Sequence, residues 1–304
     1  MKALNRSKGL QLVFLTAIIS GFSIFLNKFG VQETNPFIYT FLKNLVVAAL
    51  LFSVILLFKD FKALKALSRK QWAKLFAIGA IGGSVPFLLY FYALKLTSAV
   101  NAGFIHKTIF IFASLMALFF LKEKLSKWFV LGAGLLLAAN FILFSKISSF
   151  NYADLLILGA VVFWAAENVL SKHVLEELSG NVVAFGRMFF GSALILSFLL
   201  ISGNFSALGE IGVPQIEWIL LTSALLFGYV FTYYNGLKHI SVSSATAILL
   251  LGQPITAVLS MVFLQKTISA QEAMAFVLLV SGIALIVFSS RLLTSLKAPF
   301  KQVV

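Results

Sequence analysis

The chain contains no cysteine in its 304 residues, which excludes disulfides and thiolate metal sites and says little about compartment. Charge is nearly as scarce, at 11% of residues, and acids are scarcer than bases, 10 against 24. The three histidines, His106, His173 and His239, stand in separate spans or loops without metal-ligand spacing. HExxH, a Gly-rich phosphate loop and GxSxG are all missing, so no enzyme, cofactor or metal site is expected. What the chain has is hydrocarbon: 61% of residues are hydrophobic. Its mean hydropathy of +1.02 lies outside the range of soluble domains.

Apolar runs long enough to cross a bilayer, about 20 residues each, fall at 10–29, 37–58, 73–94, 99–121, 128–145, 153–171, 182–201, 216–237, 243–264 and 270–290. Continuous Leu, Ala, Val and Phe runs lack the alternation of a barrel strand, and helices satisfy their own backbone in lipid. The expectation is an all-α integral membrane protein of ten transmembrane helices. The first run is as long as a span and carries no clear small-residue cleavage site, so it reads as a retained helix rather than a signal peptide. The one long polar link follows Phe58.

The basic residues sort by side. One face collects 17 Lys and Arg, clustered at Lys2–Lys8, Lys59–Lys74, Lys122–Lys127 and Arg291–Lys301, with Lys172 and Lys238. The other face holds Lys95, Lys146 and Lys266. By the positive-inside rule both termini are cytoplasmic and the protein sits in the cytoplasmic (inner) membrane. The formal charge of +14 is spread over loops rather than gathered on a folded basic surface, so nucleic acid is not an expected partner.

The two halves repeat. A shift of 144 places Lys28 on Lys172 and Lys43 on Arg187. A shift of 143 then pairs Tyr90 with Tyr233, Lys95 with Lys238 and Ser98 with Ser241. Five spans per copy is an odd number, so the copies are expected as two inverted five-helix repeats, 10–146 (spans 1–5) and 152–290 (spans 6–10), followed by a cytoplasmic tail, 291–304.

Charge inside hydrocarbon costs roughly 2.5–3.5 kcal/mol per residue at a helix centre, so buried ionisable groups are the first candidates for function. His106 and Lys107 lie about nine residues into the fourth span, and their repeat mates are Leu249 and Leu250. Two readings stand for Lys107: it binds an anionic group of a substrate, with His106 as proton carrier or donor, or it is structural and paired with a buried acid or carbonyl. Glu167 shares a helical face with Trp164 and Ser171, and the matching face of the first span carries Ser20, Ser23 and Asn27. Glu167 either serves a cavity or reaches the nearby interface. Lys43 and Arg187, being matched cations, read as requirements of the fold, anchored at the interface or bonded to a helix terminus, with substrate binding as the alternative. Phe87, Tyr90 and Phe91, with Tyr229, Tyr233 and Tyr234, set rings at depths that suit an amphipathic organic solute. Pro86 and Pro254 each remove an N–H and free the carbonyl four residues earlier, which makes both hinge candidates.

WAAENVLSK at Trp164–Lys172, FGRMFF at Phe185–Phe190, YALKLTSAVNA from Tyr92 and LKEKLS at Leu121–Ser126 together resemble the two EamA-type domains of the drug/metabolite transporter superfamily, over about residues 10–290. The resemblance implies a cavity lined mainly by spans 1, 3, 4, 6, 8 and 9, alternating access, and a cargo of amino acids or other metabolites, often moved outward; relatives carry nucleotide sugars or phosphorylated sugars. It supports Tyr90, His106, Lys107, Trp164, Glu167, Tyr233 and Gln253 as cavity residues. Where the second repeat has Pro254 the first has Ile111, so the fourth span is expected to be straighter than usual. The expected partners are a small-molecule metabolite, the lipid bilayer and a coupling proton, for a monomer or homodimer. A sugar-phosphate or nucleotide-sugar antiporter would need Lys43, Lys107 and Arg187 to converge on one phosphate. A non-transporting scaffold would need a sealed core.

Overall fold

The computed structural model describes residues 2–58, 61–97, 99–144 and 150–295; the side chains of 2–4, 63, 99, 100, 144 and 289–295 are not part of that description. Lys59, Ser98, Lys146, Lys297 and Lys301, which entered the charge sorting and the repeat register, lie outside the described residues, as does the end of the tail. The described chain is helical: α1 (Lys2–Gln32), α2 (Pro36–Leu57), α3 (Phe61–Lys65), α4 (Arg69–Ile78), α5 (Val85–Leu96), α6 (Ala99–Lys107), α7 (Ile109–Phe120), α8 (Lys127–Phe144), α9 (Tyr152–Val174), α10 (Gly180–Ile201), α11 (Val213–Leu237), α12 (Val242–Ile248), α13 (Gly252–Leu264) and α14 (Ala270–Ser295). Among the described residues there is no strand, and nine helical segments are long and apolar enough to cross a membrane. Several segments run through an internal irregularity: α4 continues through a π-type turn, Gly79–Ser84, into α5, and α12 reaches α13 through a 3-10 turn, Leu249–Leu251. Over its described residues α8 is a shorter apolar helix.

Helix starts are capped at matched places in the two halves. Asn35 Oδ1 accepts from Phe37 N at 2.9 Å, and its repeat mate Ser179 accepts from Val182 N at 3.3 Å. Gln71 Oε1 accepts from Ser68 N at 2.9 Å, and Gln215 Oε1 accepts from Gly212 N at 3.1 Å. Ser126 Oγ accepts from Phe129 N at 3.0 Å, and Ser269 Oγ accepts from Glu272 N at 3.3 Å. Each such cap satisfies an orphan N–H and contributes about 1 kcal/mol.

Packing follows the same pairing. The mates α2 and α10 pack on each other, as do α8 and α14; α1 packs on α11 and α13, while its mate α9 packs on α5 and α7. Small residues set the α8–α14 contact and that of α10 with the Gly79–Ser84 turn. A Cβ on Gly132 would lie 2.6 Å from the Gly282 carbonyl, and one on Gly282 would lie 2.7 Å from the Gly132 carbonyl. A Cβ on Gly191 would lie 2.5 Å from the Gly83 carbonyl. With no hydrophobic drive between helices in lipid, such backbone approach is what holds them together.

The expected straight fourth span is corrected. It breaks at Thr108, whose N–H reaches Ile105 O at 3.0 Å while its hydroxyl donates to the same carbonyl at 2.7 Å. A shift of 143 puts Thr108 on Leu251, in the 3-10 turn of the other half. The break therefore belongs to the repeat, and Pro254 is one way of making it rather than its cause.

Gly191→Val should destabilise the α10 contact by about 1–3 kcal/mol through overpacking, read as a fall in the thermal midpoint of detergent-purified protein. An unchanged midpoint would show that the two backbones can part without cost.

Candidate functional site

Two polar clusters face one another across an aromatic chamber. The first lies where α1 meets α2. Asn27 Oδ1 accepts a hydrogen bond from Lys43 Nζ and lies 2.8 Å from the Tyr39 hydroxyl, which is also 2.8 Å from Thr222 Oγ1. Asn27 Nδ2 donates to Ser23 O at 2.8 Å and to Ser23 Oγ at 2.9 Å. The Lys43 ammonium sits 4.7 Å from the Tyr39 ring centre and 4.9 Å from that of Phe91, close enough for both rings to stabilise it.

The second cluster forms around the Gly82 carbonyl. Pro86 has no N–H to give to this carbonyl, four residues before it. Trp164 Nε1 and Arg187 Nη2 donate to it instead, each at 3.0 Å. A side chain on Gly82 would collide with Glu167, its Cβ 2.3 Å from Glu167 Cγ and 3.1 Å from Arg187 Nε, so glycine is what lets acid and cation flank the same point. Glu167 accepts from Ser171 and from the Tyr234 hydroxyl, the latter at 2.6 Å. Asn168 donates to Trp164 O at 2.7 Å and accepts from Tyr233. Arg187 lies over Phe87 at 5.6 Å and Tyr234 at 5.8 Å. Phe91 and Tyr234 are repeat mates, as are Lys43 and Arg187, so each half seats its cation on the equivalent ring.

Between the clusters lies a cavity of about 120 Å³. Its rings meet at Trp164, with Phe87 at 5.5 Å, Tyr90 at 5.4 Å and His106 at 5.3 Å; Tyr229 stacks on Tyr233 at 5.7 Å. His106 Nδ1 is buried without a partner. Lys28 also lines the cavity, and among the described residues its ammonium has no hydrogen-bond or ion-pair partner.

The candidates from sequence divide between two places. Ser23, Asn27, Tyr90, His106, Trp164, Glu167 and Tyr233 line this cavity. Lys107 and Gln253 do not: they line a second cavity of about 200 Å³ against α13 and α14, and Lys107 Nζ donates to Leu249 O at 3.2 Å. Glu167 is buried and does not reach the interface. Lys43 and Arg187 are equally buried and stand in the chamber wall, so spans 2 and 7 line it while span 9 does not. Sequence reasoning missed Asn168, Tyr39 and Thr222. Asn168 was within reach, since it lies four residues after Trp164 on the same helical face.

A seam of hydrogen bonds joins the ends of α9 and α11. Lys172 Nζ donates to the carbonyls of Leu237 at 2.8 Å, Lys238 at 3.2 Å and Ile240 at 2.8 Å. Lys238 Nζ donates to Leu178 O at 2.9 Å, and Glu123 accepts from Val242 N at 2.7 Å and Ser243 Oγ at 2.6 Å. At the rim Lys74 bonds Glu177 at 2.5 Å and holds that carboxyl below the usual carboxylate range.

The EamA-like transporter family matches twice, over residues 7–145 and 151–288. An uncharacterized transporter of Archaeoglobus fulgidus is 27% identical over 234 residues, 75% of this chain and 80% of its own. One of Clostridium kluyveri is 25% identical over 296 residues, 90% of this chain and 91% of its own. Protein LicB of Haemophilus influenzae is 26% identical over 157 residues, 49% of this chain and 52% of its own. A protein of known crystal structure superposes with a TM-score of 0.75 at 20% identity, covering 95% of this chain and 99% of that one, which shows a shared fold.

Tyr234→Phe should leave Glu167 with Ser171 alone and lower stability by about 1–3 kcal/mol, the cost of an unmet buried acceptor. Thermal unfolding of the purified variant measures it, and an unchanged midpoint would mean that water replaces the phenol.

Proposed function

The chain belongs to the EamA-like transporter family, and we propose that it is a secondary transporter that carries a small carboxylate-bearing organic metabolite, an amino acid or similar amphipathic solute, across the cytoplasmic membrane by export or exchange. The observation that carries this reading is a ring-walled chamber with the unengaged ammonium of Lys28 at one side and the Glu167 carboxylate at the other. A carboxylate meets Lys28, an apolar body lies against Tyr90, Trp164 and Tyr229, and Glu167 faces an ammonium or exchanges a proton. At about 120 Å³ the chamber is comparable to the roughly 150 Å³ that admits a benzene ring. A nucleotide sugar calls for several times that space. Lys107, which the phosphate reading needs beside Lys43 and Arg187, lines the other cavity.

Ten spans in two inverted repeats, with cytoplasmic termini, supply the mechanism. Lys172 clamps the α11–α12 turn, and the repeat register makes Lys28 its counterpart, with the carbonyls of Leu94, Lys95 and Thr97 as the matching targets. Lys28 takes none of them and faces the cavities instead. One clamp made and its mate unmade is the asymmetry that alternating access requires, and exchange of the two would open the opposite face.

In proteoliposomes offered amino acids, nucleotides and sugar phosphates, uptake of a carboxylate solute should fall at least tenfold in kcat/KM in Lys28→Met. Uptake of none of them by the unaltered protein would reject the reading. Because the chain has no cysteine of its own, Ser171→Cys supplies a single reporter behind the clamp. Lys172→Met added to it should speed maleimide labelling several-fold from the face that carries the Lys172 seam, and equal rates would remove the clamp role.

A further inference from the structure

The second cavity lies apart from the chamber, between α1, α6, α8, α13 and α14, and shares only Ile24 and Lys28 with it. It is built in two halves. One half is polar and poor in partners: Lys107 is buried to 1% exposure, yet uses only one of its three N–H donors inside the protein, on Leu249 O. Among the described residues the Gln253 carboxamide has no hydrogen-bond partner, and its Oε1 is buried. Lys28 adds a second ammonium, which has no partner among the described residues. The other half is apolar, with Phe25, Phe104, Leu143 and Phe276, and the rim adds Ser260, Lys266 and Glu272, whose carboxylate accepts from Ser269 N and Oγ, each at 2.8 Å. Outside it, α13 and α14 turn Phe263, Val277 and Val280 outward, 67%, 65% and 50% exposed, as lipid-facing helices do.

A cation at this depth is not a demand of the repeat, because its mate Leu250 is buried and apolar. Gly252 keeps space for it: a Cβ there would stand 3.2 Å from Lys107 Nζ. On the groove side, Gly103 faces open space, with nothing within 4 Å of a Cβ. We infer that this groove is a second binding site, for an anionic amphiphile whose carboxylate or phosphate head is held by Lys107, Lys28 and Gln253 while an acyl chain leaves along Phe104 and Phe276 toward the bilayer. Two ammonium groups and an amide N–H match an oxyanion, and charge-assisted bonds of this kind are the strong ones.

Native mass spectrometry of the intact protein from a neutral detergent tests this without any transport assay, so its outcome is independent of the cargo proposed above. Laurate stands for a free carboxylate, phosphatidylglycerol for a bilayer lipid, and dodecanol and phosphatidylcholine for the same chains without net charge. One adduct of laurate or of phosphatidylglycerol is expected, and which of them binds identifies the source. Lys107→Met should weaken it at least tenfold, with dodecanol and phosphatidylcholine unaffected. Gly103→Leu, which fills the groove and leaves every charge in place, should do the same and carries the test alone if Lys107→Met does not yield folded protein. Equal anion binding by both variants and the unaltered chain, or dodecanol binding as tightly as laurate, would overturn the site.

Discussion

A backbone carbonyl in hydrocarbon has to be satisfied by the protein, and at Gly82 the helix cannot do it. Pro86 withholds the N–H four residues on, and the carbonyl lies within the π-type turn Gly79–Ser84. Trp164 from α9 and Arg187 from α10 come to it, and their arrival builds the site. The indole becomes the hub on which Phe87, Tyr90 and His106 pack. The guanidinium places a cation beside Glu167 without pairing the two outright. Gly82 and Gly83 are part of the same constraint, since any side chain at either would strike Glu167 or the Arg187 backbone. One unmet acceptor thus ties three helices together and orients the chamber wall.

The two halves use their matched positions for equivalent physical tasks even where the residues differ. Lys43 and Arg187 are different cations resting on equivalent rings. Asn35 and Ser179 are different side chains capping equivalent helices. The fourth span breaks at a threonine and the ninth at a 3-10 turn beside a proline, at the same point of the register. Where the halves diverge, at Glu167, His106 and Lys107, the mates are Ser23, Leu249 and Leu250, so the fold makes no common demand there.

Much of this was legible beforehand. Apolar runs located the spans because hydrocarbon tolerates little else, and the polar face of Trp164, Glu167 and Ser171 was found from its 3.6-residue spacing. The proline rule also pointed to the right atom, the carbonyl four residues before Pro86. What stayed hidden concerns facing. A transmembrane helix is hydrophobic all round, so periodicity does not say which stripe meets a cavity and which meets lipid. His106 and Lys107 are adjacent in sequence and about 100° apart on the helix, and that rotation alone sends one into the chamber and the other into the groove. The break at Thr108 was hidden for a related reason: threonine competes with the backbone only when its rotamer allows, which composition does not reveal.

Lys28 stands where these arguments meet. It lies on α1 one position after Asn27, whose carboxamide organises the Lys43 cluster, and it lines both cavities. Its mate Lys172 shows what a lysine at this position can do, since three carbonyls at a helix turn satisfy all three of its protons. An ammonium without such partners is poorly satisfied at the edge of a low-dielectric site, and any anion entering either cavity relieves it. Closure of the α5–α6 turn onto Lys28 would compete with that anion for the same protons. On the proposed reading, cargo and gate would then be linked through one side chain, and an anion would have to leave Lys28 before the turn could take its protons.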